Sequence, residues 1–189
     1  MRRNIIVAKK AITPQLCDEI VELGKNKLQN GGVGGEDTPQ INKEIRNSKV
    51  CFLNGSIPFF NIYKPILELV TYVNNEFYQF DIKEPETFQL TRYDEENKGF
   101  YKPHEDGSYE NSPNIPVRKL SMSIQLTSPE YYKGGQLEFP DDKHSFVEED
   151  AKEQGTAIFF PSYLKHGVKP VTKGIRYSLV SWFLGPSFR

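Results

Sequence analysis

Cysteine is scarce: Cys17 and Cys51 are the only two in 189 residues. A disulfide framework needs more, so the fold must rest on a hydrophobic core, and a reducing compartment is the expected setting. Long apolar runs are also lacking. No stretch approaches the roughly 18 residues of a membrane-spanning helix. The apolar run Ile5 to Ala8 is too short for a signal peptide and is followed by lysines. A soluble, cytoplasmic protein with no membrane partner is expected. An excess of either charge is missing as well: 24 basic against 25 acidic side chains give a net charge of −1. No broad basic field exists to draw in nucleic acid, so that partner class is not expected. Internal repeats and low-complexity tracts are absent.

Aromatic residues are present in strength, at 13% of the chain. They pack well on pleated surfaces and suit a β-rich fold. The length fits one domain, residues 1–189, with a helical N-terminal part to about residue 85 and a strand-rich core over about 86–185. Thr13 and Pro14 mark a helix start as cap and first helical residue. Leu16, Ile20, Leu23 and Leu28 follow at roughly helical spacing, with an end expected near Asn30-Gly31. Residues 31–45 and 107–117, rich in glycine and polar residues, read as loops and candidate lids. NSKVCFL reads as a strand. A second helix is expected from about Pro65 to Phe77, burying Ile66, Val70, Val73 and Phe77.

From residue 86 short strands alternate with turns, near 87–93, 100–104, 118–127, 135–139, 145–148, 156–160, 166–171 and 175–184. Eight such strands suggest a sandwich or jelly roll. Two have informative parity. Leu120, Met122, Ile124 and Leu126 share one face of their strand, and Ser121, Ser123, Gln125 and Thr127 the other. Tyr177, Leu179 and Phe183 oppose Arg176, Ser178, Val180 and Trp182. If the two amphipathic helices cover the apolar faces from outside, the polar faces are left to line a pocket.

Histidine occurs three times. In FYKPHEDGS, an extended backbone turns His104 and Asp106 to one side and Glu105 to the other. The pair can offer one nitrogen and one oxygen to a metal. His166, sixty residues after Asp106, can supply a third ligand. Two histidines and one carboxylate on one octahedral face leave three positions open, an arrangement suited to non-haem Fe(II) oxygenases. His144, in DDKHSF, reads as an exposed loop residue.

Arg176 follows His166 by ten residues. A turn near Thr172-Lys173-Gly174 would pair the two strands as a hairpin and bring Arg176 into the same cavity. A guanidinium can grip a carboxylate through two parallel hydrogen bonds, and Ser178, on the same face, adds a hydroxyl. Together they suit a dicarboxylate whose other end chelates the metal. Taken singly, a His-x-Asp pair is most often a chance surface pairing and a strand arginine is most often exposed. The combination favours the metal site.

Three longer segments, TRYDEENKGFYKPHED, SIQLTSPEYYKGGQLEF and GTAIFFPSYLKHGVKPVTKGIRYSLVSWF, resemble the prolyl 4-hydroxylase-like branch of the Fe(II)/2-oxoglutarate dioxygenases, including the PKHD-type hydroxylases. The resemblance runs from about Ile12 to Pro186. It implies a double-stranded β-helix, the cupin-like jelly roll, with N-terminal helices packed on the major sheet. It implies Fe(II), 2-oxoglutarate and O2 as cofactor and cosubstrates, with ascorbate a candidate accessory, and decarboxylation coupled to hydroxylation of a prolyl residue in a peptide or protein, at C4. His104, Asp106 and His166 would then hold iron and Arg176 the distal carboxylate of 2-oxoglutarate. Tyr93 becomes a candidate donor to the cosubstrate. Gln125 stands where some relatives carry a cosubstrate-contacting Tyr. Trp182 would pack beside the site and, with Tyr101, wall a proline ring. Competing readings are a hydroxylase of a free amino acid or small metabolite, a non-catalytic jelly-roll binding protein, a zinc hydrolase, which leaves Arg176 unexplained, and a nucleic-acid demethylase, which the charge disfavours.

Overall fold

The structure, a computed structural model, describes residues 4–34, 40–53, 58–107, 116–142 and 151–187. The expected strand at 145–148, His144 and most of the 107–117 loop lie outside these. In chain order the N-terminal elements are β1 (Ile6–Ala8), α1 (Pro14–Gly24), β2 (Gln29–Asn30), β3 (Arg46–Asn47), β4 (Lys49–Phe52) and α2 (Lys64–Val73). Then come β5 (Glu84–Pro85), β6 (Gln89–Asp94), β7 (Phe100–His104), β8 (Val117–Gln125), β9 (Tyr132–Gly134) and β10 (Leu137–Glu138). The chain closes with β11 (Ala157–Pro161), β12 (His166–Val168) and β13 (Val171–Gly185).

The strands form two antiparallel sheets. The major sheet runs β1-β11-β8-β13-β6-β4-β2, with β5 and β9 also paired to β13; the minor sheet runs β10-β12-β7-β3. This is the expected jelly roll with outer helices. Parity explains its two cores. Leu120, Met122, Ile124, Leu179 and Phe183 turn outward and pack under Ile20 of α1 and Ile66, Val70 and Val73 of α2. Ile158 and Phe160 turn inward with Tyr93, Leu137, Phe139 and Val168, while Ala157 and Phe159 of the same strand join the outer core. With both faces covered, β11 is a continuous buried apolar run rather than an alternating one. No helix among the described residues is long and apolar enough to cross a membrane.

Helix α1 starts as expected: Thr13 is extended and its Oγ1 accepts from the Leu16 N–H at 3.2 Å. Its end differs. The helix stops at Gly24 and tightens into a 3₁₀ turn over Lys25–Lys27, because Gln29 and Asn30 give their backbone to β4. The fully buried line is Cys17, Ile20 and Gly24, with Leu16 and Leu23 only partly covered. A Cβ on Gly24 would lie 2.7 Å from Leu90 Cδ2, so the missing side chain lets the helix approach β6 closely. After Val73 the second helix widens into a π-turn over Asn74–Tyr78. The wider turn changes which side chain faces inward. Tyr78 is buried and donates to the Phe159 carbonyl at 2.8 Å, whereas Phe77 is 44% exposed, contrary to the expected burial.

The expected hairpin between 166–171 and 175–184 does not form. β12 pairs with β7 and β10 in the minor sheet, while β13 lies in the major sheet between β8 and β6. Gly174, with φ of 72°, is an irregularity inside the long β13, whose first residues pair with β9, and not a turn. The N-terminal part also contributes more than helices. β1 extends the major sheet at β11, β4 and β2 extend it at β6, and β3 edges the minor sheet.

Candidate metal centre and the cavity around it

The two sheets enclose a cavity of about 1100 Å³ that opens between them. On its minor-sheet side, His166 and His104 stand directly opposite each other on β12 and β7. Asp106 follows two residues after His104, and the Asp106 and Gly107 N–H groups both donate to the Ser162 carbonyl at 2.9 Å. That anchor points the Asp106 carboxylate at both imidazoles: Oδ1 is 3.5 Å from His104 Nε2 and Oδ2 is 3.4 Å from His166 Nε2. One ligand atom from each of the three residues lies within 4.8 Å of the others.

The surroundings prepare these groups for a cation. His104 Nδ1 lies 2.9 Å from the Lys102 carbonyl and His166 Nδ1 3.0 Å from the Leu164 carbonyl. A carbonyl only accepts, so each Nδ1 carries the proton and each Nε2 presents its lone pair to the centre. Ser121 Oγ donates to Asp106 Oδ2 at 2.8 Å, and Ser162 Oγ, 2.9 Å from Ser121 Oγ, then donates to Ser121. Burial alone would raise the Asp106 pKa, but His166 and His104 beside it outweigh burial and hold the carboxyl well below the usual carboxylate range. Burial pushes His166 below the ordinary histidine value, against the pull of Asp106, with His104 adding to the lowering. An ionised carboxylate and a neutral imidazole are the forms that bind a metal. The donor set of two imidazole nitrogens and one carboxylate, lining the cavity, fits Fe(II).

Arg176 lies on the opposite, major-sheet wall. It is 1% exposed, and among the described residues no carboxylate is within ion-pair reach. Its Nη2 donates to Gln125 Oε1 at 2.5 Å, and its guanidinium carbon sits 5.5 Å from the centre of the Tyr93 ring. Nε and Nη1 have no hydrogen-bond partner among the described residues. A buried cation with unused donors is costly unless an anion completes it, so the chemistry of this wall suits a carboxylate or similar group. Burial raises the Tyr93 pKa despite Arg46 and Arg176 nearby, so its hydroxyl keeps a proton to donate. Ser178 lines the cavity on the same face as Arg176. Gln125 uses its amide on Arg176 and on Tyr132, whose Oη accepts from Nε2 at 3.1 Å.

Tyr101 stacks on His104 with ring centroids 3.6 Å apart, and the Arg46 guanidinium carbon lies over the Tyr101 ring, 4.6 Å from its centroid. Trp182 also lines the cavity. Its buried indole N–H has no hydrogen-bond partner among the described residues. Arg118 covers the Trp182 ring at 3.9 Å and grips Glu86 with two 2.6 Å bonds. Sequence reasoning missed Arg118. Its even number puts it on the apolar face with Leu120, but the register shifts between Phe183↔Leu120 and Leu184↔Arg118, and this irregularity turns Arg118 to the cavity. From the expected lids, Val33, Ile41 and Ile45 line the cavity mouth; residues 35–39 and 108–115 lie outside the described ones.

A jelly roll carrying two histidines and one carboxylate at its mouth, faced by a buried arginine, defines the class of non-haem iron oxygenases that use an acidic cosubstrate. The chain belongs to the 2OG-Fe(II) oxygenase superfamily, whose family model matches residues 88–184. A PKHD-type hydroxylase of Alteromonas mediterranea is 38% identical over 73 residues, covering 38% of this chain and 31% of the relative. A second PKHD-type hydroxylase, from Janthinobacterium sp. (strain Marseille), is 38% identical over 91 residues, covering 46% and 38%. The match thus spans only about a third of the length of these curated relatives. Among solved structures, the viral collagen prolyl hydroxylase from Paramecium Bursaria Chlorella virus-1 superposes with a TM-score of 0.72 at 20% identity, covering 96% of each chain. A Pseudomonas putida prolyl-4-hydroxylase gives 0.71 at 19%, covering 96% of this chain and 92% of that one. At these identities the likeness is one of fold.

Proposed function

We propose that this protein is an Fe(II)- and 2-oxoglutarate-dependent hydroxylase that acts on a prolyl residue of a peptide or protein, at C4. In this reading His104, Asp106 and His166 hold the iron, Arg176 binds the distal carboxylate of 2-oxoglutarate, and residues 1–189 work as one domain. The pairing of β1 with β11 and of β4 with β6 supports the last point. The observation that carries the reading is Arg176, buried and short of partners across the cavity from the triad. A zinc hydrolase has no use for such a group. When bound, the iron supplies the redox chemistry that couples 2-oxoglutarate decarboxylation to hydroxylation. The protein's own residues hold and orient. Asp106 stays ionised beside neutral Nε2 atoms, Ser121 fixes the carboxylate, and Arg176, with Ser178 and Tyr93 near it, sets the direction of the dicarboxylate.

The choice of a prolyl substrate rests on the names of the relatives and on the cavity walls. Tyr101 and Trp182 both line the cavity and give it aromatic walls that suit a five-membered ring. A Trichoplax adhaerens prolyl hydroxylase described in complex with a hypoxia inducible factor peptide fragment shares the fold, with a TM-score of 0.72 at 17% identity, covering 96% of this chain and 83% of that one. The test is aerobic incubation with Fe(II), 2-oxoglutarate, ascorbate and a panel of proline-containing peptides. Stimulated succinate release with a gain of about 16 Da on proline, one oxygen atom, is expected. Succinate release stimulated only by free amino acids or small metabolites would replace the peptide reading, and no release from iron-loaded protein would favour a non-catalytic binding protein.

A further inference from the structure

Arg176 heads the fully buried side chains by size although it lines the cavity, so its neighbours in the protein set the direction of its guanidinium. Gln125 Oε1 takes Nη2, and Gln125 Nε2 donates to the Tyr132 hydroxyl. Arginine has only donors, so the Gln125 oxygen must face it, leaving the amide nitrogen for Tyr132. Both ends of the amide are thereby fixed. The segment that supplies Tyr132 also touches the arginine stem: at Gly135, with φ of 65°, a Cβ would lie 2.9 Å from Arg176 Cδ. Head and stem are held together while Nε and Nη1 stay unpartnered.

We propose that Gln125 and Tyr132 form a positioning pair that fixes the Arg176 guanidinium and reserves Nε and Nη1 for the distal carboxylate of 2-oxoglutarate. This rests on the reading of Arg176 as the cosubstrate anchor. Gln125 is then a positioning residue and not a direct cosubstrate ligand. Its neutrality matters. A carboxylate in its place would pair with Arg176 and cancel the charge that the cosubstrate needs, whereas the amide orients without neutralising.

The experiment is calorimetric titration of 2-oxoglutarate into Mn²⁺-loaded protein, with Mn²⁺ affinity measured separately by electron paramagnetic resonance. Gln125→Glu should raise the 2-oxoglutarate Kd by about tenfold or more, because a charged partner competes for the guanidinium, and leave Mn²⁺ affinity unchanged. Gln125→Leu should raise Kd by about fivefold, the loss of one hydrogen bond. Tyr132→Phe should weaken binding less, and the double variant Gln125→Leu/Tyr132→Phe should bind no worse than Gln125→Leu alone, because Tyr132 acts through Gln125. A packing role predicts the reverse: additive losses, and parental affinity in the near-isosteric Gln125→Glu. That pattern would overturn the proposal. Mn²⁺ binding reports folding of each variant; if the Gln125 variants do not fold, parental affinity in Tyr132→Phe overturns it and weakened affinity supports it. Arg176→Ala separates the two levels. Unchanged 2-oxoglutarate binding there removes the anchor reading itself, while loss there with parental binding in Gln125→Glu removes only the positioning pair.

Discussion

Ser121 is not one of the three residues that could hold the metal, yet its hydroxyl donates directly to the Asp106 carboxylate at Oδ2. Groups in this place orient a ligand and tune its basicity, and losing one typically costs about 10–100-fold in metal affinity. Ser121→Ala should therefore weaken Mn²⁺ binding by roughly tenfold with little change in melting temperature of the metal-free protein. An unaltered affinity would mean that the Ser162 carbonyl anchor alone aims the carboxylate. A second residue-scale expectation concerns Cys17 on α1. Burial, with Asp18 adding, pushes its thiol from an ordinary 9.0 up to about 12. Below 9.0 the thiol is neutral in both folded and unfolded chains, so nothing is lost. Between 9.0 and about 12 the unfolded thiol ionises and the folded one does not, so stability falls as pH rises. Cys17→Val should flatten that alkaline fall in denaturant melts; equal slopes in the two proteins would contradict the assignment.

At the scale of elements, what the sequence could tell depended on regularity. Over 120–126 the alternation holds residue by residue, and the outward leucines and inward serines are legible directly. Two residues earlier the register slips and parity misplaces Arg118. The same blindness affects Gly174. Glycine marks both turns and strand irregularities, and nothing local says which, since the deciding partner is β9, some forty residues away in the chain. β1 read only as an apolar run too short for a signal, because its meaning lies in pairing with β11, about 150 residues on. Tyr132 carried no signal either; its role depends on meeting Gln125. Gly174 also yields a prediction. A Cβ there would collide with the Tyr131 carbonyl oxygen, and φ of 72° is unfavourable to other residues. Gly174→Ala should cost on the order of 3 kcal/mol, from combined backbone strain and overpacking. Because the strained residue lies two positions before Arg176, 2-oxoglutarate affinity should fall as well. A variant as stable as the parent would mean that β9 can shift without loss.

For the whole molecule, the decisive arrangement is that the two halves of the site belong to different sheets. His104 and His166 stand on β7 and β12 of the minor sheet, and Arg176 on β13 of the major sheet. Under the proposed function, 2-oxoglutarate meets the metal at one end and Arg176 at the other, and so ties the sheets together across the cavity. A ligand that binds only the folded state raises the melting temperature by mass action. Here the two ligands should do more than add, because 2-oxoglutarate without metal has only the Arg176 wall to hold it, and Mn²⁺ alone engages only the minor-sheet side with Asp106. Differential scanning fluorimetry should therefore give a shift with both ligands that exceeds the sum of the separate shifts. Arg176→Ala should keep the Mn²⁺ shift and lose the excess, whereas His166→Ala should lose both. The two sheets are also joined through the Ser121–Asp106 bond, so Mn²⁺ alone is expected to give a measurable shift of its own. Strict additivity in the parent protein would mean that metal and cosubstrate bind independently, and a dicarboxylate bridging the sheets would then be ruled out.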